Sequence, residues 1–124
     1  METQEDLDNK IGTKEQEKLK PEKVKIVKVG LEKPEKAKSQ KVVCSVQHPD
    51  RNESISISSV KFEKNGKLVT VGLWYNKDEE GFIPKSSALA VLMNFLKVET
   101  IRQLEKQEIW TAEDDKGYLC FKAY

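Results

Sequence analysis

Two cysteines, one histidine and two arginines are all that 124 residues contain of these types, and each scarcity removes a class of chemistry. Cys44 and Cys120 lie far apart in apolar runs, with no CxxC pair, which excludes a zinc cluster or a thioredoxin-type motif. They are expected as buried free thiols in a reducing cytoplasm rather than as a disulfide. His48 has no second imidazole for a metal site and no identifiable serine partner; its setting, His48-Pro49-Asp50-Arg51-Asn52, marks a surface loop. Gly66, Gly72, Gly81 and Gly117 form neither GxGxxG nor a P-loop. The acidic runs Asp78-Glu79-Glu80 and Glu113-Asp114-Asp115 lack the spacing of a calcium loop and are expected as turn charges. No metal, no cofactor and no catalytic triad are therefore expected, and the chain is read as a non-enzyme. No apolar run approaches the roughly 18 residues of a membrane span, and the acidic start lacks the basic flank of a signal peptide, so a cytoplasmic protein off the membrane is expected.

What the chain has in quantity is charge. Charged residues make up 35% of it against 37% hydrophobic, a balance in which part should fold and part should not. The charge is almost entirely Lys and Glu, with Arg only at Arg51 and Arg102, a trait shared with hyperthermophile proteins. The net charge of +1 conceals a polarity. Residues 1–22 carry seven acids against four lysines, and residues 23–41 carry seven lysines against two acids. Residues 1–22 have only Leu7, Ile11 and Leu19 as large apolar side chains, too few to offset the entropy of ordering, and are expected as a disordered tail. Residues 23–124 then form one domain.

Within that domain the apolar pattern is mostly of period two. Lys23 to Leu31 predicts a first strand whose phase slips at Ile26-Val27, the mark of a bulge, of a bend between two sheets or of a strand buried on both faces. Lys41 to Gln47 predicts a second, and Ser54 to Phe62 a third with another slip at Ser58-Ser59. Asn65-Gly66 predicts a type I′ hairpin returning along Lys67 to Tyr75. Ser86 or Ser87 caps a helix in which Leu89, Leu92, Met93 and Leu96 form one core-facing stripe. Thr100 with Gln103 matches a capping box over Ile101 to Leu104. Glu108 to Ala112 and Tyr118 to Tyr124 predict a final hairpin, with Leu119, Phe121 and Ala123 inward and Tyr118, Lys122 and Tyr124 outward. The fold class is mainly β: a small Greek-key, OB-like antiparallel barrel with one core-plugging helix before the last two strands.

Element order over residues 23–124 resembles the OB-fold, with one early strand in excess: either an elaboration, or a long bent strand that counts twice. Ser87-Ala88-Leu89-Ala90 through Phe95-Leu96, Thr100 to Leu104, and Gly117-Tyr118-Leu119 are similar to the C-terminal half of small phage and archaeal single-strand-binding-like proteins. The resemblance implies a groove for single-stranded nucleic acid across the barrel, and it transfers no residue role by motif.

Read from the residues themselves, the feature with chemistry is a lysine strip beside strand aromatics, because single-strand binders combine phosphate-tracking cations with rings on which bases stack. The candidates are Lys23, Lys25, Lys28, Lys33, Lys36, Lys38, Lys41 and Lys122 for phosphate and Trp74, Trp110, Tyr118 and Tyr124 for stacking. The competing explanations are that Lys23, Lys25 and Lys28 guard an edge strand and that the tryptophans fill the core. Phe62, Phe82, Phe95 and Phe121 are assigned to the core. Single-stranded DNA or RNA is the expected partner. The alternative is an assembly module that docks through an exposed strand edge, with residues 1–22 folding on a protein partner.

Overall fold

A computed structural model describes residues 19–124; the tail expected over residues 1–18 lies outside the described residues. The described chain contains eight strands and one α-helix: β1 Lys23–Glu32, β2 Gln40–Gln47, β3 Ile55–Ile57, β4 Ser59–Lys64, β5 Lys67–Gly72, β6 Trp74–Tyr75, α1 Ala88–Phe95, β7 Glu108–Glu113 and β8 Leu119–Lys122. A 3-10 turn, Ile101–Leu104, joins α1 to β7. Strand order is β3-β2-β1-β7-β8-β4-β5, with β6 paired to β2. Since β3 and β4 are separated by Ser58 alone, the first strand of that path runs on into the last but one, and the sheet curls into a barrel-like shell with β5 added on its outside edge.

The two slips in apolar phase produce the curl. At the first, Ile26 pairs with Val46 but Lys28 pairs with Ser45, leaving Val27 as the extra, exposed residue of a bulge. The bend lets β1 serve two neighbours, pairing with β7 through Lys23 to Lys25 and with β2 from Lys25 onward. At the second, Ser58 breaks the strand so that Ile57 and Val60 both point inward although three residues apart. Ser58 is still bonded, its carbonyl accepting from Leu73 N–H at 2.9 Å.

Asn65 and Gly66 have φ of 54° and 80°, the left-handed pair a type I′ turn requires, and Lys64 faces Lys67 across it. The return strand is not continuous. Leu73 is fully buried, donates to Ser58 and accepts from Val42 N–H at 2.8 Å, so β5 ends at Gly72 and the chain crosses to β2 as β6. One further pairing departs from the expected antiparallel barrel: β4 and β8 run parallel, Val60 facing Phe121 and Lys61 facing Lys122.

Helix α1 begins where Ser87 Oγ accepts from Ala90 N–H at 3.2 Å. Its Leu89 and Leu92 are fully buried with Val24, Ile26, Val42, Val60, Leu104 and Phe121 in one core, each leucine contributing about 1.5–3 kcal/mol by burial. The Thr100–Gln103 capping box is formed and caps the 3-10 turn.

Three expectations are corrected. His48 is fully buried rather than on a loop surface: Nδ1 accepts from Asp50 N–H at 3.0 Å and Nε2 donates to Lys20 O at 2.8 Å. Phe82 and Phe95 are exposed, at 67% and 47%, because the loop before α1 and the last turn of the helix stand clear of the shell; Phe62 and Phe121 are core as expected. β1 is an interior strand between β2 and β7 where it carries Lys23 and Lys25, so these two guard no edge, whereas Lys28 lies past the β7 pairing.

Candidate nucleic-acid interface

On the outer face of the shell, four strands bring together residues distant in sequence. Lys23 on β1 is the direct partner of Trp110 on β7. Continuing the β7–β8 register one residue past Thr111 and Phe121 sets Lys122 on the other flank of Trp110. Lys122 in turn faces Lys61 on β4. Neighbouring strands lie about 4.8 Å apart, so the row Lys23, Trp110, Lys122, Lys61 crosses four strands with the indole on a backbone position between two lysine positions.

The row opens into a groove of about 520 Å³ lined by Lys23, Phe95, Glu108, Ile109, Trp110, Lys122 and Tyr124. Trp110 is 53% exposed and Tyr124 45%. Lys122 Nζ stands 4.9 Å from the centre of the Tyr124 ring, a cation–π distance that fixes both side chains. Lys23 Nζ lies 3.4 Å from Glu108 Oε2, both exposed. Lys61 is held by its Nζ donating to Glu113 O at 3.0 Å.

Four of the expected residues, Lys23, Trp110, Lys122 and Tyr124, therefore meet. Two more, Lys41 and Trp74, form a separate pair: they face each other across β2 and β6, with Lys41 Nζ 5.3 Å from the indole centre. Gly72 lies beneath that pair, where a Cβ would come within 2.9 Å of Lys41 Cε and 3.0 Å of Trp74 Nε1. The rest are dispersed. Lys25 and Lys28 are exposed along β1, whereas Lys33, Lys36 and Lys38 occupy the β1–β2 connection, none of them in the groove.

Tyr118 is 69% exposed at the β7–β8 turn, away from the groove lining. That turn is built by Asp114, whose Oδ1 accepts from Lys116 and Tyr118 N–H at 2.9 and 2.8 Å, with Gly117 at φ 85°. Asp78 builds the same turn before α1, accepting from Glu80 and Phe82 N–H at 2.9 Å each, with Gly81 at φ 88°. Each leading aspartate thus serves backbone geometry, and each turn displays an aromatic residue.

Sequence reasoning missed Lys61, Phe95 and Glu108. The register that brings Lys61 beside Lys122 is a parallel pairing over about sixty residues, which no local pattern encodes. Phe95 is the one aromatic residue of an apolar helix, and only its place in the last turn, off the Leu89–Leu92–Met93 stripe, hints at exposure. A second depression, about 550 Å³, between α1 and the loop before it contains Tyr75, Phe82 and Met93 but none of the expected site residues. Among the described residues no cluster of three metal-ligating side chains occurs, and no helix is long and apolar enough to cross a membrane.

The chain matches no family model, no curated protein and no solved structure.

Proposed function

We propose that this protein binds single-stranded nucleic acid, DNA or RNA, in the Trp110 groove. The observation that carries this reading is the convergence of Lys23, Trp110, Lys122 and Tyr124 in one groove of about 520 Å³. Exposed rings between lysine positions suit a ligand that alternates flat apolar bases with anionic phosphates, and each base stacked on such a ring contributes about 1–3 kcal/mol. The mainly β shell, with its helix before the last two strands and a parallel pairing that closes it, supports the OB-like resemblance without a shared motif. The bent strand β3–β4 counts once in that comparison and β5 is the elaboration. Binding without chemistry is the form the proposal takes.

The test is a salt titration of binding to an end-labelled oligothymidine, read by fluorescence anisotropy. Binding at low salt that weakens linearly in the logarithm of salt is expected. No binding at the lowest salt overturns the proposal.

A second reading rests on β5. Among the described residues its outer edge has no strand partner, and it exposes Leu68 and Val71. Such an edge can take another strand by backbone hydrogen bonding. A dimer in solution that is lost when Val71 is replaced by Lys favours assembly through β5; a monomer at all concentrations excludes self-assembly there.

A further inference from the structure

We infer that Glu108 makes the groove select guanine over other bases, an inference that rests on the nucleic-acid reading above. A carboxylate is the wrong group to place against phosphate, yet Glu108 lines the groove with its side chain 58% exposed. Its position explains it. Glu108 and Trp110 project from the same face of β7, two residues apart, so the carboxylate stands about 7 Å from the ring along the strand. A base lying flat on the indole presents its edge at that distance.

The two flanks of Trp110 differ in charge. Towards β8 and β4 lie Lys122 and Lys61, with no acid among the groove-lining residues on that side; towards the start of β7 lies Glu108, in loose contact with Lys23 at 3.4 Å and facing Lys25 across the ladder. Phosphates belong on the lysine flank and the base edge on the carboxylate flank. An ionised carboxylate only accepts hydrogen bonds. Guanine offers N1–H and the 2-amino group side by side, two donors matched to two carboxylate oxygens. Cytosine and adenine each set a ring acceptor beside their amino group, and thymine and uracil flank a single N–H with two carbonyls. Only guanine gives each oxygen of Glu108 a donor from one edge.

The experiment compares three end-labelled oligonucleotides of about nine nucleotides at low salt by anisotropy: all thymine, thymine with isolated guanines, and the same sequence with inosine, which lacks the 2-amino group. Wild-type protein is expected to bind the guanine oligonucleotide about tenfold more tightly than thymine, the size of a bidentate base contact, with inosine between them. In Glu108→Gln the ratio of guanine to thymine affinity collapses towards one, whichever way the affinity for thymine itself moves. A wild-type ratio near one overturns the inference and leaves the nucleic-acid reading standing. So does a ratio that Glu108→Gln does not change, the result if the side chain only repels phosphate or steadies Lys23. Failure of all three oligonucleotides to bind overturns both.

Discussion

Lys23 and Trp110 face each other across the β1–β7 ladder, and that single cross-strand pair sets Trp110 between two lysine positions in register, since Lys122 is its partner on β8. Trp74 is different: Lys41 stands over its ring and only 37% of it is exposed. Replacing Trp110 by Ala is expected to weaken oligonucleotide binding by about 1–3 kcal/mol, the range for loss of one stacked base. Trp74→Ala is expected to leave affinity within about threefold, the effect of a residue outside the contact surface. Anisotropy titrations of the two variants at one salt concentration check this, and equal losses would count against a single groove.

The lysines divide in the same way. Each phosphate contact adds about 0.7 to the slope of log affinity against log salt for a single strand. Lys122→Ala and Lys61→Ala are each expected to lower the slope by about that amount. Lys33→Ala, Lys36→Ala and Lys38→Ala, in the β1–β2 connection, should leave it unchanged. Were the connection variants to flatten the slope instead, the strip as read along the sequence would be the binding surface and the four-strand row would not.

The difference between strip and row shows what the sequence could and could not reveal. Features encoded within a few residues were legible: the bulge at Val27, the break at Ser58, the Asn65-Gly66 turn, the Ser87 cap, the Thr100–Gln103 capping box and the inward and outward parity of β8. Each depends on local backbone chemistry. His48 was misread because a Pro/Asp turn signals exposure, while its burial comes from a hydrogen bond to Lys20, 28 residues earlier. Phe82 was misread because an apolar ring in a short pattern is assigned to the core, whereas an Asp78-built turn holds it outside. The groove needed β1, β7 and β8 in register beneath the end of α1, and only its aromatic and lysine members carried a signal of their own.

Gly72 tests the Lys41–Trp74 pair directly. Its φ is not in the left-handed region, so any cost of Gly72→Ala comes from contact with Lys41 and the indole, at 2.9 and 3.0 Å. The end of the Lys41 side chain can swing clear but then gives up its place over the indole, so a loss of about 0.5–1 kcal/mol in denaturant unfolding is expected, the size of an exposed cation–π contact. Lys41→Ala removes the nearer obstacle, so the double variant should be less destabilised than the sum of the two singles by at least about 0.5 kcal/mol, the threshold for coupled neighbours. Strict additivity would show that the indole alone sets the cost.

Cys44 makes stability depend on alkaline pH. Its side chain is fully buried, and burial pushes the thiol from its ordinary value of 9.0 up to about 12. In the unfolded chain the thiol ionises from about pH 9, whereas in the folded protein it stays protonated until about pH 12. Between those limits the folded state binds more protons than the unfolded state, so stability falls as pH rises, by at most about 1.4 kcal/mol per pH unit from this group. Below pH 9 the group contributes no pH dependence. Cys120 is raised in the same direction, first by burial and then by Asp114, and adds to the trend. The Cys44→Ala variant isolates the larger effect. Its stability deficit relative to wild type, from lost packing, is expected to be constant up to about pH 8.5 and to shrink by about 2 kcal/mol by about pH 10.5. Urea unfolding of both proteins across that window measures the gap; a gap independent of pH would mean that the thiol ionises in the folded state as readily as in the unfolded one.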